Sequence, residues 1–401
     1  MGRLIVRERY MGMLRAGRGL LDVVKVVTGM RRSGKSTLLD MYAEELMSEG
    51  VPPGDILRIN FETFEYRGIR DSDALDRVLL EGIGTSGLRY VFLDEVQNVD
   101  GWERSVSSLI NTGRCDVYIT GSNSRLLSSD LTTHIAGRFV EVMVLPLSFA
   151  EYMELHPGDR TVRFNEYLRY GALPEVDSGR GREFCDSQLR GIFNTVLVED
   201  VLARLGTGDA GTLLSIARFL YTNIGNETNT ESISKALGIG NGTVDRYIRG
   251  LTDAFLFHAS ERYDIVGRRV LKTNGKYYAS DLGLRGAALL GAGGPDISRP
   301  LENVVYLELV RRGYTVRIGC FRDREVDFTA IGGDGTEYYQ VCLTMLSEDT
   351  RERELRSLRS IRDNFPKTVL TLDAFGLGDS EGIRIVNVLD WLLGEGRRMR
   401  P

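Results

Sequence analysis

The sequence predicts an α/β protein whose first 150 residues build the parallel sheet of a P-loop NTPase. Three observations point there. Gly29-Met30-Arg31-Arg32-Ser33-Gly34-Lys35-Ser36 fits the G-x-x-x-x-G-K-[ST] pattern of a phosphate-binding loop. It is preceded by a β-branched run (Val23, Val24, Val26, Val27, interrupted by Lys25) and followed by a helical pattern with Leu38, Leu39, Tyr42 and Leu46 on one face. About sixty residues later the apolar run Tyr90-Val91-Phe92-Leu93 ends in Asp94-Glu95.

The order of residues suits phosphate binding. Glycines let the backbone curl so that successive N–H groups face one anion, and a helix start adds its unpaired N–H groups and positive dipole end. Residues Gly29, Met30, Arg31, Arg32, Ser33, Gly34, Lys35, Ser36 and Thr37 are therefore the expected phosphate cradle. In that cradle Lys35 reaches the β- and γ-phosphates, while Ser36 and Asp94 hold Mg²⁺. Glu95 is the residue expected to orient and polarise the attacking water.

In chain order, a short amphipathic helix is expected over 7–15, a strand over 56–61, and helices over 73–80 and 102–110. A strand over 115–120 ends in Gly121-Ser122-Asn123-Ser124. Asn123 or Ser122 there is a candidate γ-phosphate sensor, or alternatively the N-cap of a helix near residue 125. Gly137-Arg138 precedes a strand over 139–145. Arg138 is either a solvated charge or a cation stabilising the transition state, in its own subunit or in a neighbouring one.

Composition sets limits. At 401 residues with net charge -5 the chain has room for several cores, and it is not basic overall. Only six of its 51 basic residues are lysine. Four scattered cysteines and three histidines support neither a disulfide framework nor a zinc site. No apolar run approaches a membrane span and no signal-peptide core stands at the start, so a soluble cytoplasmic protein is expected, with no membrane partner.

Residues 29–37, 92–97, 119–124 and 136–139, together with Pro146-Leu147-Ser148-Phe149-Ala150-Glu151-Tyr152, resemble an AAA-type group of archaeal and bacterial ATPases. That group carries a C-terminal domain of unknown function distantly similar to restriction-endonuclease folds. The resemblance covers essentially the whole chain. It implies an AAA-like sheet with an additional strand and ATP as the nucleotide, and it strengthens Asn123 and Arg138 as site residues. It names no substrate.

Beyond the expected 1–150 ATPase domain, residues 151–205 read as a helical connector containing Tyr170-Gly171-Ala172-Leu173-Pro174-Glu175, a motif the family shares. Residues 206–290 read as a winged-helix-like domain, with a recognition helix over 243–251 and wing strands over 255–262 and 276–279. Arg246, Arg249, Arg268, Arg269 and Lys272 are its candidate nucleic-acid contacts, although winged helices also dock proteins. After a linker at 291–295, residues 296–401 show an αβββαβ order that resembles the PD-(D/E)XK nuclease core. Glu302 and Asp327 match two of its metal-binding acids, but Gln340-Val341-Cys342 stands where E-x-K is expected, so the site is expected to be degenerate and the nuclease cation missing.

Two functions compete. One is an ATPase coupled to nucleic acid or another partner through the winged helix, in a chain that can form homo-oligomers. The alternative is a nucleotide-dependent switch that docks proteins and hydrolyses slowly. An ATP-regulated nuclease ranks third.

Overall fold

The computed structural model describes residues 4–394 apart from 85–86, 128–134, 136, 207, 292–295 and 323; at 125, 127, 272 and 273 it describes the backbone alone. The chain forms two compact units, Met1–Pro146 with Asp253–Phe255, and Leu147–Thr252 with Leu256–Pro401. No helix among the described residues is long and apolar enough to cross a membrane.

The first unit is a five-stranded parallel sheet of strands β1 (Val24–Thr28), β2 (Ile56–Asn60), β3 (Arg89–Asp94), β4 (Cys115–Gly121) and β5 (Phe139–Met143). Its order is β2-β3-β4-β1-β5, so β4 stands between β1 and β3 as the additional strand expected. Strand alternation sorts the core onto two faces. Val91, Leu93, Val117 and Ile119 meet helices α3 (Ser72–Ile83) and α4 (Trp102–Asn111). Tyr90, Phe92 and Tyr118 meet α1 (Glu8–Ala16) and α2 (Lys35–Ser48).

Lys25, the residue that interrupts the apolar run, is fully buried in an ion pair with Asp116 of β4. Its ammonium also donates to the carbonyls of Leu20 (2.9 Å) and Val23 (3.0 Å). Burial pushes its pKa down while Asp116 opposes that shift. Removing either partner would leave the other charged and buried, a loss of about 3–5 kcal/mol.

The second unit contains a nine-stranded mixed sheet. Its strands are β6 (Glu227–Thr228), β7 (Phe257–Asp264), β8 (Arg269–Ala279), β9 (Thr315–Phe321), β10 (Arg324–Gly332), β11 (Gly335–Cys342), β12 (Lys367–Thr371), β13 (Gly378–Ser380) and β14 (Ile383–Asn387). The order is β13-β14-β12-β11-β10-β9-β7-β8-β6. Helices Ala210–Thr222, Thr230–Leu237 and Asn241–Asp253 precede the β7–β8 hairpin, and Ser298–Arg311 precedes β9. The expected border between 206–290 and 296–401 is not a break in this sheet. β7 pairs in parallel with β9, Arg262 through Asp264 opposite Ile318 through Cys320, so the two segments share one layer. Of the expected linker, 292–295 lie outside the described residues.

The Tyr170–Glu175 motif has a packing explanation. Gly171 has φ 79° and ψ -163°, and a Cβ there would lie 2.2 Å from Asp281 Oδ1. The buried Asp281 carboxylate accepts from Ala172 N (2.6 Å) and Leu284 N (2.9 Å), joining the motif to the helix Leu282–Ala288. Gly171→Ala is therefore expected to lower the unfolding free energy by about 3 kcal/mol. Gly191→Ala, on an exposed helix position with open space around it, should raise it by about 0.5–1 kcal/mol. Denaturant titrations of the two variants would show opposite displacements.

Candidate functional site: the phosphate-binding loop and a buried Lys–carboxylate cluster

The loop after β1 has the curled backbone that phosphate binding requires. Gly29, Arg32 and Gly34 have φ of 140°, 70° and 95°. Gly29 is obligatory, because a Cβ would lie 2.2 Å from the Val144 carbonyl oxygen. Helix α2 starts at Lys35 with no side-chain cap, so its first N–H groups face the loop without a side-chain acceptor. Met30, Ser33 and Lys35 are buried, Arg31, Gly34 and Ser36 half-buried, and Arg32 and Thr37 exposed. Ser33 Oγ is buried with no hydrogen-bond partner among the described residues, so a polar group in the loop is left for a ligand to satisfy. The Lys35 ammonium donates to the carbonyls of Gly29 (3.0 Å) and Met30 (3.2 Å) and lies 3.6 Å from Glu95 Oε1.

Asp94 and Glu95 leave β3 side by side but in different environments. Asp94 is the last strand residue, and Asn60 Nδ2 donates to its Oδ2 at 2.7 Å. Burial raises its pKa, against hydrogen bonds from Thr120 and Ser36 that lower it. Glu95 has φ 55°, a left-handed conformation that is uncommon for a residue with a side chain. Burial pushes its carboxyl up, yet Lys35, then the Gln97 and Ser122 hydrogen bonds, outweigh it and the pKa is lowered. Thr120 joins the pair: its hydroxyl donates to Asp94 Oδ1 and accepts from Glu95 N (2.9 Å). A cavity of about 340 Å³ opens beside Ser36, Asn60 and Asp94.

Ser122 and Asn123 are buried just past Gly121, which pairs with Thr28 of β1, so both lie beside the loop. Leu126 N donates to the Asn123 carbonyl (3.2 Å), and the segment Ser124–Leu127 is a single 3₁₀ turn. Arg138 lies elsewhere. β1 and β5 run parallel, and Val24 N donates to the Arg138 carbonyl (3.0 Å) at the sheet end away from the loop. Five residues of strand separate that level from Gly29, about 16 Å at 3.3 Å per residue. The Arg138 guanidinium donates to Ile135 O and Asn111 Oδ1, both at 3.1 Å.

Arg7, Thr120 and Gln97 contact the candidate site but were not singled out from the sequence, although Gln97 and Thr120 lie inside motif segments 92–97 and 119–124. Buried Arg7 donates to the carbonyl of Ser33 in the loop (3.1 Å) and to those of Leu145 (2.9 Å) and Pro146 (3.3 Å) past β5. A polar residue at the end of the strand beside β3 was the available signal for Thr120. For Arg7, 22 residues ahead of Gly29, there was none.

The second unit buries another lysine among carboxylates. Glu302 and Asp327, the two acids picked out by the nuclease resemblance, interact electrostatically, and Lys276 of β8 lies among them. Its ammonium lies 3.2 Å from Glu302 Oε1 and 2.7 Å from Glu325 Oε1. Burial acts to lower the Lys276 pKa, and Glu302, Asp327 and Glu325 overcome it, leaving it raised. Tyr278 OH donates to Glu302 Oε1 (2.8 Å) and Arg299 to Oε2 (3.0 Å). Burial, then the Glu302 charge, push Asp327 up to about 8. Gln340 is spent internally: its Oε1 accepts from Asp327 N (3.3 Å) and its Nε2 donates to Glu354 (3.1 Å). Among the described residues no group of three His, Cys, Asp or Glu is placed to hold a metal ion.

The expected nucleic-acid contacts separate into two places. On the helix Asn241–Asp253, exposed Arg249 is ion-paired with Asp245, and Arg246 lies over the Tyr247 ring, 5.3 Å from its centroid. Arg268 and Arg269 are exposed at the β7–β8 turn, Arg269 3.5 Å from Asp264. The Lys272 side chain lies outside the described residues.

A parallel sheet with this strand order, carrying that loop and the Asp94–Glu95 strand end, defines an AAA-type ATP-binding protein. Residues 22–153 match a family described as AAA domain, and residues 161–296 match a domain of unknown function, DUF8612. An uncharacterized protein of Haemophilus influenzae is 37% identical over 401 residues, covering 97% of this chain and 99% of that one. The chain belongs to the same family as that Haemophilus influenzae protein. An uncharacterized protein of Methanocaldococcus jannaschii is 28% identical over 366 residues, covering 85% of this chain and 79% of its own. A Walker-type ATPase of Pyrococcus abyssi shares the fold, with TM-score 0.52 and 16% identity over 71% of this chain and 96% of that one.

Two variants test these contacts. Thr120→Val keeps the shape but removes the hydroxyl between Asp94 and Glu95, so any nucleotide turnover should fall at least about 10-fold while nucleotide affinity changes little. Lys276→Ala removes the buried cation that Glu302 and Glu325 share, leaving Glu302 only Arg299 as ion-pair partner among the described residues, and should destabilise by about 3–5 kcal/mol, read as a lower denaturation midpoint.

Proposed function

We propose that the chain is a Mg²⁺-dependent ATP hydrolase that couples turnover to a partner engaged by its second unit. The carrying observation is Glu95, an anionic carboxylate fixed 3.6 Å from Lys35 at the end of β3. A protein that only binds nucleotide has no use for it.

In this reading Lys35 gives up the Gly29 and Met30 carbonyls to donate to the β- and γ-phosphate oxygens, beside the loop and α2 N–H groups. Ser33 Oγ finds its missing partner there. Ser36 and Asp94 would hold Mg²⁺, which when bound neutralises phosphate charge. Glu95 orients the attacking water and draws on its proton, held in place by Gln97 and Ser122, with Asn123 next to the γ-phosphate position. Arg138 is too far to serve its own loop, so any role in turnover is exerted on a second copy of the chain.

For the second unit, a helix–strand–helix–helix–hairpin order with β6 paired to β8 supports the winged-helix reading. The Arg249–Asp245 pair on the helix Asn241–Asp253 favours docking of a protein there over reading of bases. Lys276 inside the Glu302 cluster favours a scaffolding role for the nuclease-like segment.

Lys35→Ala should lose ATP binding. Glu95→Gln should bind ATP near the parent affinity and turn over about 10²–10³-fold more slowly. Parallel binding and phosphate-release assays separate the two, and Glu95→Gln hydrolysing at the parent rate would sink the assignment.

A further inference from the structure

A cleft of about 880 Å³ lies in the second unit, the size of a ligand site. It is bounded by the β7–β8 turn, the β9–β10 turn and the segment after the helix Glu348–Arg359. The two turns share one end of the sheet because Asp264, last in β7, pairs with Cys320 near the end of β9. Both are tight, with Arg268 and Arg322 at φ 49° and 56°.

Five arginines line the cleft: Arg268, Arg322, Arg324, Arg359 and Arg362. Arg359 is paired with Glu352 and Glu381. The other four are exposed and meet no carboxylate among the described residues. Arg324 donates to the Arg356 carbonyl (3.3 Å) and to Ser360 Oγ, and Arg322 lies over the Phe321 ring at 5.5 Å.

The two acids in the lining are already engaged. Asp264 accepts from Val266 N (3.1 Å) and Gly267 N (3.0 Å) and faces Arg269. Asp363 accepts from Tyr338 OH (2.7 Å) and Lys367 (3.2 Å). Aromatic rings alternate with these cations: half-buried Tyr263 and Phe321, and Phe365, which is 37% exposed.

We propose that this cleft binds single-stranded nucleic acid, the arginines taking the phosphates and the rings receiving unstacked bases. Guanidinium groups with no carboxylate partner, interleaved with aromatic rings, are the combination that holds a strand without reading its sequence. A duplex keeps its bases stacked inside and would leave the rings unused. The inference deepens the partner half of the function proposed above and places the contact away from the helix Asn241–Asp253. It does not depend on nucleotide.

The test uses the full chain, fluorescence anisotropy and a labelled single-stranded DNA of about 15 nucleotides. A duplex of the same sequence and a polyglutamate peptide serve as competitors. Single strand should bind more tightly than duplex, and the Lys35→Ala chain should bind as the parent does. A chain with Arg268→Gln, Arg322→Gln and Arg362→Gln should bind at least about 10-fold more weakly, with the log–log salt slope reduced by about 2, at about 0.7 per lost phosphate contact. Phe365→Ala should weaken binding while leaving that slope unchanged. Arg246→Gln with Arg249→Gln should leave the affinity as it was. The proposal is overturned if the triple variant binds as the parent does, if duplex is preferred, or if polyglutamate competes as well as DNA. Loss of ATP turnover in Lys35→Ala with DNA binding intact keeps this inference separate from the hydrolase reading.

Discussion

Three residue pairs, Arg262 with Ile318, Tyr263 with Gly319 and Asp264 with Cys320, hold the second unit together as a single layer. This parallel pairing of β7 to β9 turns a three-helix segment with a hairpin and a separate α/β segment into one nine-stranded sheet. Gly319 is part of the reason: a Cβ there would lie 2.7 Å from Thr329 Oγ1 and 3.1 Å from Ile265 Cδ1. The pairing brings Lys276 within reach of Glu302 and sets two arginine-bearing turns side by side. Both features combine residues from segments that look independent in the sequence.

What could be read from the sequence depended on distance along the chain. The phosphate-binding loop is a contiguous pattern whose chemistry is written in consecutive residues, and Asp94-Glu95 closes a continuous apolar run. The additional strand of the sheet came from the family resemblance those motifs carry, and β4 between β1 and β3 matches it. Lys276 was not legible by spacing, because its partners lie 26 and 49 positions away and across a segment border. Thr120 acts through one hydroxyl on a neighbouring strand, and the resemblance that raised Arg138 left open whether it serves its own subunit or a neighbour; parallel pairing with β1 places it at the sheet end away from the loop. The last hairpin, β13–β14, rests on three short pairs and offers too little periodicity to announce itself.

One compositional fact did carry information about the interior. The chain has only six lysines, and among those whose side chains are described Lys25, Lys35 and Lys276 are buried, each facing a carboxylate: Asp116, Glu95 and Glu302. Lysine is a compact point charge on a flexible stem, and one or two carboxylates match it in a closed space, whereas the planar fork of arginine asks for wider, bidentate surroundings. In a chain that otherwise uses arginine for positive charge, a buried lysine sits where a compact cation fits its carboxylate partners.

The guanidinium of Arg7 ties the Ser33 carbonyl to the carbonyls of Leu145 and Pro146, so one side chain ahead of the sheet braces both the loop and the chain's exit from β5. The AAA match begins at residue 22, well after this brace. A fragment trimmed to that border would keep every residue of the phosphate-binding pattern and lose Arg7 with the whole of α1, whose Tyr10, Met11 and Leu14 cover Val27 and Tyr118. The functional boundary of the nucleotide unit therefore lies upstream of its recognisable one, and shortened versions of such domains risk appearing inert for reasons unrelated to their catalytic residues.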